Sequence, residues 1–300
     1  MLIKIIITNS IPFFKYYNIL LKMSKKAILY LVLSIGVIIT YFFSKNESKE
    51  IIEKKPADVA VSETKTDSIY VDVQNAGEKY LPTSTTHQLV THENYVLSYN
   101  EKYEQAEWVF YEAKVSASRG GDFKRPYFVK DPKVKTGSAD WKNYRKSGYD
   151  KGHLCPAGDM KFSKQAFEDT FYTSNISPQK KDFNAGVWNR LEQKVRYWAD
   201  KYDGIYVVTG GILSDGLKTI GNEKVAVPNY FYKVLLDVDN GHYRMIGFLV
   251  PHENSQKPLY EFVVPVDEIE KKTGIDFFPI LPDSVEDKLE KSGDYKSWSF

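Results

Sequence analysis

An α+β domain with a largely antiparallel central sheet is the fold class this sequence predicts, on three observations. Runs rich in β-branched and aromatic residues read as strands. Two of them are joined by Asp239-Asn240-Gly241, a tight hairpin signal. One long central segment carries its apolar residues at helical rather than alternating spacing. The chain has 300 residues, 42% hydrophobic and 15% aromatic, enough to bury the core of one medium domain.

The elements follow in order. Residues 1–26 read as a cytoplasmic N-terminus, and Met23-Ser24-Lys25-Lys26 has the look of a signal start, which would make the first 22 residues an upstream extension. Residues 27–43 are a nearly continuous apolar run with Lys22, Lys25 and Lys26 before it and Lys45 after it. Its length lies at the short end for a membrane span, and no small-residue cleavage pattern follows it. An uncleaved signal anchor is the preferred reading and a cleaved signal the second. The leading lysines orient the anchor with the rest of the chain outside the cytoplasm. The expectation is a single-pass protein of the cytoplasmic membrane, or a secreted one if the signal is cleaved. Residues 44–80 are rich in Lys, Glu, Asp, Ser and Thr and read as a polar linker, so the folded domain is expected over 81–300.

Within that domain, strands are predicted over Tyr95 to Tyr99, Trp108 to Val115, Gly204 to Leu213, Asn229 to Val238 and Tyr243 to Val250. Helices are predicted over Ser163 to Asp169 with Ser163 as cap, over Asn184 to Lys201, and over Val266 to Thr273. No internal repeat is apparent.

Two polar clusters carry the chemistry. In Tyr149-Asp150-Lys151-Gly152-His153-Leu154, His153 can accept a proton near neutral pH without special tuning, which makes it a candidate general base for activating water. Gly152 permits backbone conformations closed to other residues and Pro156 discourages helix at Cys155, so an irregular, fixed stretch is expected around the histidine. In Asn184 to Glu192, a helix entered through Asp182 or Asn184 would bury Val187, Leu191, Val195 and Trp198. Asn184, Glu192 and Arg196 would then project from a neighbouring side at successive levels. The Asn184 side-chain oxygen is a hard, neutral donor suited to Mg2+, Glu192 could hold a water beside the ion, and Arg196 could orient Glu192 or meet a phosphate. On spacing alone, a solvated helix face with one Glu-to-Arg pair explains these residues equally well.

The order and spacing of Asp150-Lys151-Gly152-His153, then Phe171-Tyr172-Thr173-Ser174-Asn175-Ile176-Ser177-Pro178-Gln179, then Asn184 to Glu192 resemble the DNA/RNA non-specific endonucleases, from roughly Leu89 to Pro282. That family includes bacterial sugar-non-specific nucleases and the mitochondrial endonuclease G group. The resemblance implies a ββα-metal (His-Me finger) fold, metal-dependent hydrolysis of DNA or RNA, His153 as general base and Asn184 as the one direct protein ligand of hydrated Mg2+. It implies supporting roles for Glu192, Arg196 and Asp150, and it places the family's phosphate-contacting arginine at Arg125, with Lys124 beside it. Lys151 stands where the family most often has arginine, keeping the charge but losing the planar fork that grips phosphate oxygens.

Net charge is only +2, so nucleic acid must be met by a local patch rather than by bulk charge. Lys124, Arg125, Lys130, Lys133, Lys135, Lys142, Arg145, Lys146 and Lys151 concentrate positive charge just before His153. The single cysteine, Cys155, excludes intramolecular disulfides and cysteine-built zinc sites and reads as a packing residue. His87, His92, His242 and His252 read as surface or satisfied core residues. Mn2+ suits the same oxygen ligand as Mg2+. Two other functions compete: a membrane-tethered nucleic-acid-binding module without turnover, and a phosphodiesterase for another anionic substrate.

Overall fold

The computed structural model describes residues 78–114 and 120–300; the predicted N-terminal segment, the 27–43 anchor and nearly all of the linker lie outside the described residues. Seven strands form one sheet in the order β1 (Leu89–Thr91), β2 (Tyr95–Asn100), β3 (Gln105–Ala113), β6 (Ile205–Gly211), β9 (Tyr230–Asp239), β10 (His242–Pro251) and β11 (Val263–Val264). Every pairing in it is antiparallel. The β9–β10 connection is the predicted hairpin, with Asn240 at φ 48° and Gly241 at φ 81°, the left-handed pair that a two-residue turn requires.

The sheet is buried on both faces, which is why its strands read as near-continuous apolar runs. Alternate residues divide between two cores. Leu97, Val109, Val207, Phe231, Leu235 and Phe248 face one. Val96, Trp108, Val208, Tyr232, Val234 and Met245 face the other. Over the first face lies a helix spanning residues 181–201, α2, which follows the short helix α1 (Lys164–Asp169) capped by Ser163. Its buried stripe of Val187, Leu191, Val195 and Trp198 is the predicted one. Full burial of an aliphatic side chain contributes about 1.5–3 kcal/mol, so this stripe anchors the helix far more firmly than its polar face does. Over the second face lie α3 (Val266–Thr273) and residues Ile275 and Phe277, and Leu289 of α4 (Asp283–Glu290) packs there as well.

Two smaller pairs complete the fold: β4 (Asp150–His153) with β5 (Ile176–Gln179), and β7 (Thr219–Ile220) with β8 (Val225–Ala226). The β4–β5 pair corrects the expected irregular stretch, since His153 ends a strand and lies opposite Ile176. Gly152 serves close packing rather than unusual backbone geometry: a Cβ there would meet Gln179 Oε1 at 2.1 Å. Neither cluster residue Asp182 nor Asn184 caps α2. The helix is already under way at Lys181, with Lys180 at its N-cap, because the backbone N–H of Lys180 is satisfied by His252 at 2.7 Å.

Candidate active site

His153 sits against aromatic rings. Its imidazole meets the Phe171 ring edge-on at 5.0 Å and the Phe128 ring at 5.5 Å. The Arg125 guanidinium lies over the same two rings, 5.3 Å from Phe171 and 5.9 Å from Phe128, and Lys151 Nζ lies 5.2 Å from Phe128. One aromatic wedge thus gathers the proposed base and two of the expected phosphate-binding cations. Burial of the imidazole, helped by the Arg125 charge, lowers the His153 pKa to about 3, so the ring stays neutral. Its Nε2 is buried with no hydrogen-bond partner. A buried ring nitrogen without a protein partner is left for water or substrate to meet, and buried polar atoms rarely remain so without a role. Lys124 is exposed beside Arg125 and enters no ion pair among the described residues.

Asp150, at the start of β4, accepts from Asn184 Nδ2 at 3.2 Å. Asn184 opens a π turn, Asn184–Trp188, inside α2, and Gly186 there departs from helical geometry at φ −99°, ψ −111°. Such single wide turns cost helix regularity and recur at functional sites. The loop after β10 braces this one: Arg190 Nη2 donates to Ser255 O at 2.7 Å and to Lys257 O at 3.1 Å, and a Cβ on Gly186 would strike Asn254 Oδ1. His252 braces it from below. Its Nδ1 donates to Pro228 O at 2.8 Å and its Nε2 accepts from Lys180 N, a fixed neutral tautomer whose pKa burial lowers to about 4. His252 is therefore a satisfied core histidine, as expected, and it positions the entry to α2.

The structure separates Arg196 from its expected partner. Arg196 Nη1 lies 2.6 Å from Oδ1 of Asp159 rather than on Glu192, and Asp159 Oδ2 accepts from Tyr111 OH at 3.0 Å. Asp159 is fully buried, and sequence reasoning missed it because nothing in Pro156-Ala157-Gly158-Asp159 marks a buried carboxylate. Lys233 was also missed. It occupies the α2 face of β9 with no exposed surface, its Nζ 3.2 Å from Thr209 Oγ1 and 4.6 Å from the Trp188 ring. The signal was present in Phe231-Tyr232-Lys233-Val234-Leu235-Leu236, where a lysine interrupts a fully buried run. Burial raises the Glu192 pKa to about 7, opposed by the Lys233 charge, while the Asp159 carboxylate adds to the rise. Cys155 is buried, its backbone N–H donates to Asn175 Oδ1 at 2.8 Å, and burial pushes its thiol up, which suits the packing role expected of it.

The basic run is partly neutralised. Lys130 pairs with Glu223 and Lys142 lies 3.9 Å from Asp140, while Lys133 Nζ keeps its charge and donates to Thr91 O. Lys142, Arg145, Lys146 and Lys218 line a groove of about 580 Å³. A second groove of similar volume, bounded by Tyr149, Lys180 and His252, also contains Lys218. Lys218 Nζ donates to Tyr149 OH at 3.3 Å, one residue before Asp150.

The oxygen donors fit a hard cation. The amide nitrogen of Asn184 donates to Asp150, which leaves the amide oxygen free of that contact, and the carboxylates of Asp150 and Glu192 offer oxygen only. The acidic triads among the described residues lie elsewhere, on α3, on α4 and at Asp276 between them.

Residues 72–284 match the family described as DNA/RNA non-specific endonuclease. The mitochondrial nuclease EXOG of Danio rerio is 38% identical over 205 residues, 63% of this chain and 60% of that protein. Human mitochondrial endonuclease G is 35% identical over 210 residues, 64% of this chain and 70% of that protein. The mitochondrial nuclease of Saccharomyces cerevisiae is 30% identical over 286 residues, 86% of this chain and 87% of that protein. The chain thus spans about 60% of the length of the EXOG protein it matches. Among solved structures, the EndoG/EndoGI complex that describes the mechanism of EndoG inhibition is similar with a TM-score of 0.63 and 30% identity, over 69% of this chain and 91% of that one.

These findings correct the expected location. The three relatives just named are mitochondrial proteins by name; among the described residues, which do not include 27–43, no helix is long and apolar enough to cross a membrane. Those relatives overturn the expectation of a single-pass protein of the cytoplasmic membrane with its catalytic region outside. The inference rested on a run at the lower limit of the roughly 20 residues a span needs, and on lysines that also precede other targeting segments.

Proposed function

Because the chain belongs to the DNA/RNA non-specific endonuclease family, we propose that it is a metal-dependent endonuclease that hydrolyses phosphodiester bonds of DNA and RNA without strong sequence preference. His153 is the general base in this reading and Asn184 would hold Mg2+. The β4–β5 pair followed by α2 is read as the ββα-metal unit. The observation that carries the proposal is the buried, partnerless Nε2 of His153, kept neutral on the same short strand as the Asp150 carboxylate that orients Asn184.

His153 Nε2 takes a proton from water, and the resulting hydroxide oxygen bonds to phosphorus as a bridging P–O bond breaks. The departing oxygen leaves with the electron pair and is protonated from solvent. Arg125 and Lys151, held over Phe128, bind the non-bridging oxygens on the side of the base. Mg2+ bound at Asn184 would supply positive charge beside the oxygens on which negative charge builds up. Asp150 fixes the Asn184 amide, and Glu192 orients water. The groove through Lys142, Arg145, Lys146 and Lys218 follows the polymer backbone, favouring nucleic acid over a small anionic substrate.

The test is cleavage of plasmid DNA and of folded RNA by the purified chain with Mg2+ or EDTA, wild type against His153→Ala. Cutting that disappears in EDTA and falls about 10²–10⁴-fold in the variant supports the reading. Binding without cutting under every condition would replace it with a nucleic-acid-binding module.

A further inference from the structure

Five carboxylates collect at the second face of the sheet, away from α2. Asp267 and Glu270 come from α3, Glu286 and Glu290 from α4, and Asp276 from the segment between them. One oxygen each of Asp267, Glu270 and Glu290 lies within 4.8 Å of the others, and the same holds for Asp276, Glu286 and Glu290. Glu290 therefore belongs to both triads. It is only 6% exposed, and its Oε1 is buried without a hydrogen-bond partner.

The helices do not neutralise this cluster. Among the described residues their ion pairs are Lys272–Glu268 and Lys291–Asp287, and none of the five carboxylates pairs with a lysine, arginine or histidine. The one backbone donor to Glu270 is Phe277 N at 2.9 Å. Carboxylates gathered this way at partial burial repel one another unless a cation or protons balance them. Burial first and the neighbouring carboxylates second push Glu286 up to about 7 and Glu290 up to about 8.

We propose that Asp267, Glu270, Asp276, Glu286 and Glu290 form a calcium site centred on Glu290 and independent of Asn184. The donors are all oxygen, as a hard cation requires, and they are numerous and charged, whereas Mg2+ typically takes one or two carboxylates and keeps several waters. Ca2+ takes about six to eight oxygens in flexible geometry, which two triads that share Glu290 can supply, whereas Mg2+ demands a near-ideal octahedron. The ion would join α3 to α4. Through Asp276 it would also reach the start of the domain, because Thr83 N donates to Asp276 O at 2.9 Å and Asp276 N donates to Thr83 Oγ1 at 2.8 Å.

The experiment is thermal unfolding of the full chain, stripped with a chelator and titrated with Ca2+ or with Mg2+, for wild type, Glu290→Gln, Glu286→Gln and Asn184→Ala. At a hundredfold excess over its Kd, Ca2+ is expected to raise the Tm of wild type and of Asn184→Ala by about 5–10 °C, with Mg2+ giving a smaller rise in Asn184→Ala. Both glutamine variants should lose most of the rise. In chelator they should unfold no earlier than wild type, since each removes a repulsive charge, and that control shows they are folded. The assignment is overturned if Ca2+ leaves the wild-type Tm unchanged, or if both glutamine variants keep the full rise. It is also overturned if stability falls equally with and without Ca2+ as pH rises through 7 and 8, because protons would then balance the cluster.

Discussion

Asn184 Nδ2 donates to Asp150 Oδ2 across 3.2 Å, joining the first residue of β4 to the π turn of α2. The bond decides which atom of the amide is presented. An asparagine side chain can rotate its two ends by half a turn at little steric cost, and only an acceptor fixed beside the nitrogen keeps the oxygen free. A carboxylate at the edge of a short strand is that acceptor.

Asp150→Ala should therefore weaken metal binding without removing the ligand. The Mg2+ concentration for half-maximal cleavage is expected to rise about 10–100-fold, with a Tm close to wild type because Asp150 is not fully buried. A Mg2+ titration of cleavage rate checks it. An unchanged Mg2+ requirement would mean that the Asn184 amide is held by other contacts.

The pH dependence separates the two titrating groups of the site. His153 acts as a base when neutral, and its pKa of about 3 leaves it neutral throughout pH 5–9. Glu192 at about 7 changes charge inside that range. If the carboxylate form of Glu192 is the active one, wild-type kcat/KM should fall tenfold per unit below about pH 7, and this limb belongs to Glu192. Glu192→Gln should be slower and flat between pH 5 and 8. Lys233→Met removes a cation that holds the Glu192 pKa down, so the limb should move to higher pH and activity should recover in alkali. A limb that survives in Glu192→Gln would assign it to another group.

The sheet and its hairpin were legible because both of its faces are buried, so strand identity is written in apolar runs such as Phe231 to Leu236. The stripe on α2 was legible for the same reason. The π turn was not, since a wide turn at Gly186 depends on contact with Asn254, nearly seventy residues away, which no local spacing encodes. It also undid the simple four-residue count from Asn184 to Arg196, because a five-residue turn rotates the positions on either side of it. The pairing of Arg196 with Asp159 was hidden for a related reason: the i,i+4 rule points to Glu192, whereas Asp159 is fully buried and thirty-seven residues away in sequence. The short strands β4 and β5 were hidden by Gly152 and Pro178, residues that ordinarily argue against strands.

The Arg196–Asp159 pair predicts a stability effect distinct from the catalytic ones. Asp159 has no exposed surface and the Arg196 side chain is 24% exposed, so removing one partner strands a largely desolvated charge. Asp159→Ala should cost about 3–5 kcal/mol in urea denaturation, and Arg196→Met a similar amount. The double variant should cost less than the sum, because the second change removes the charge that the first one stranded. Strict additivity would show that the two side chains do not interact in solution.

Gly186→Ala tests whether the π turn itself matters. The added Cβ would lie 2.2 Å from Asn254 Oδ1, so either Asn254 withdraws or the turn relaxes toward regular helix. Relaxation would rotate Asn184 relative to Asp150 while leaving Leu191, Val195 and Trp198 in their core positions. The expected result is a loss of stability of about 1–3 kcal/mol together with a fall in cleavage of tenfold or more. The double variant Gly186→Ala, Asn254→Ala separates the two outcomes. If it restores both stability and rate, the clash alone was responsible and the turn survives an alanine. If stability returns while the rate stays low, the glycine holds a backbone geometry that the Asn184 amide needs, and the π turn is part of the site rather than a by-product of packing.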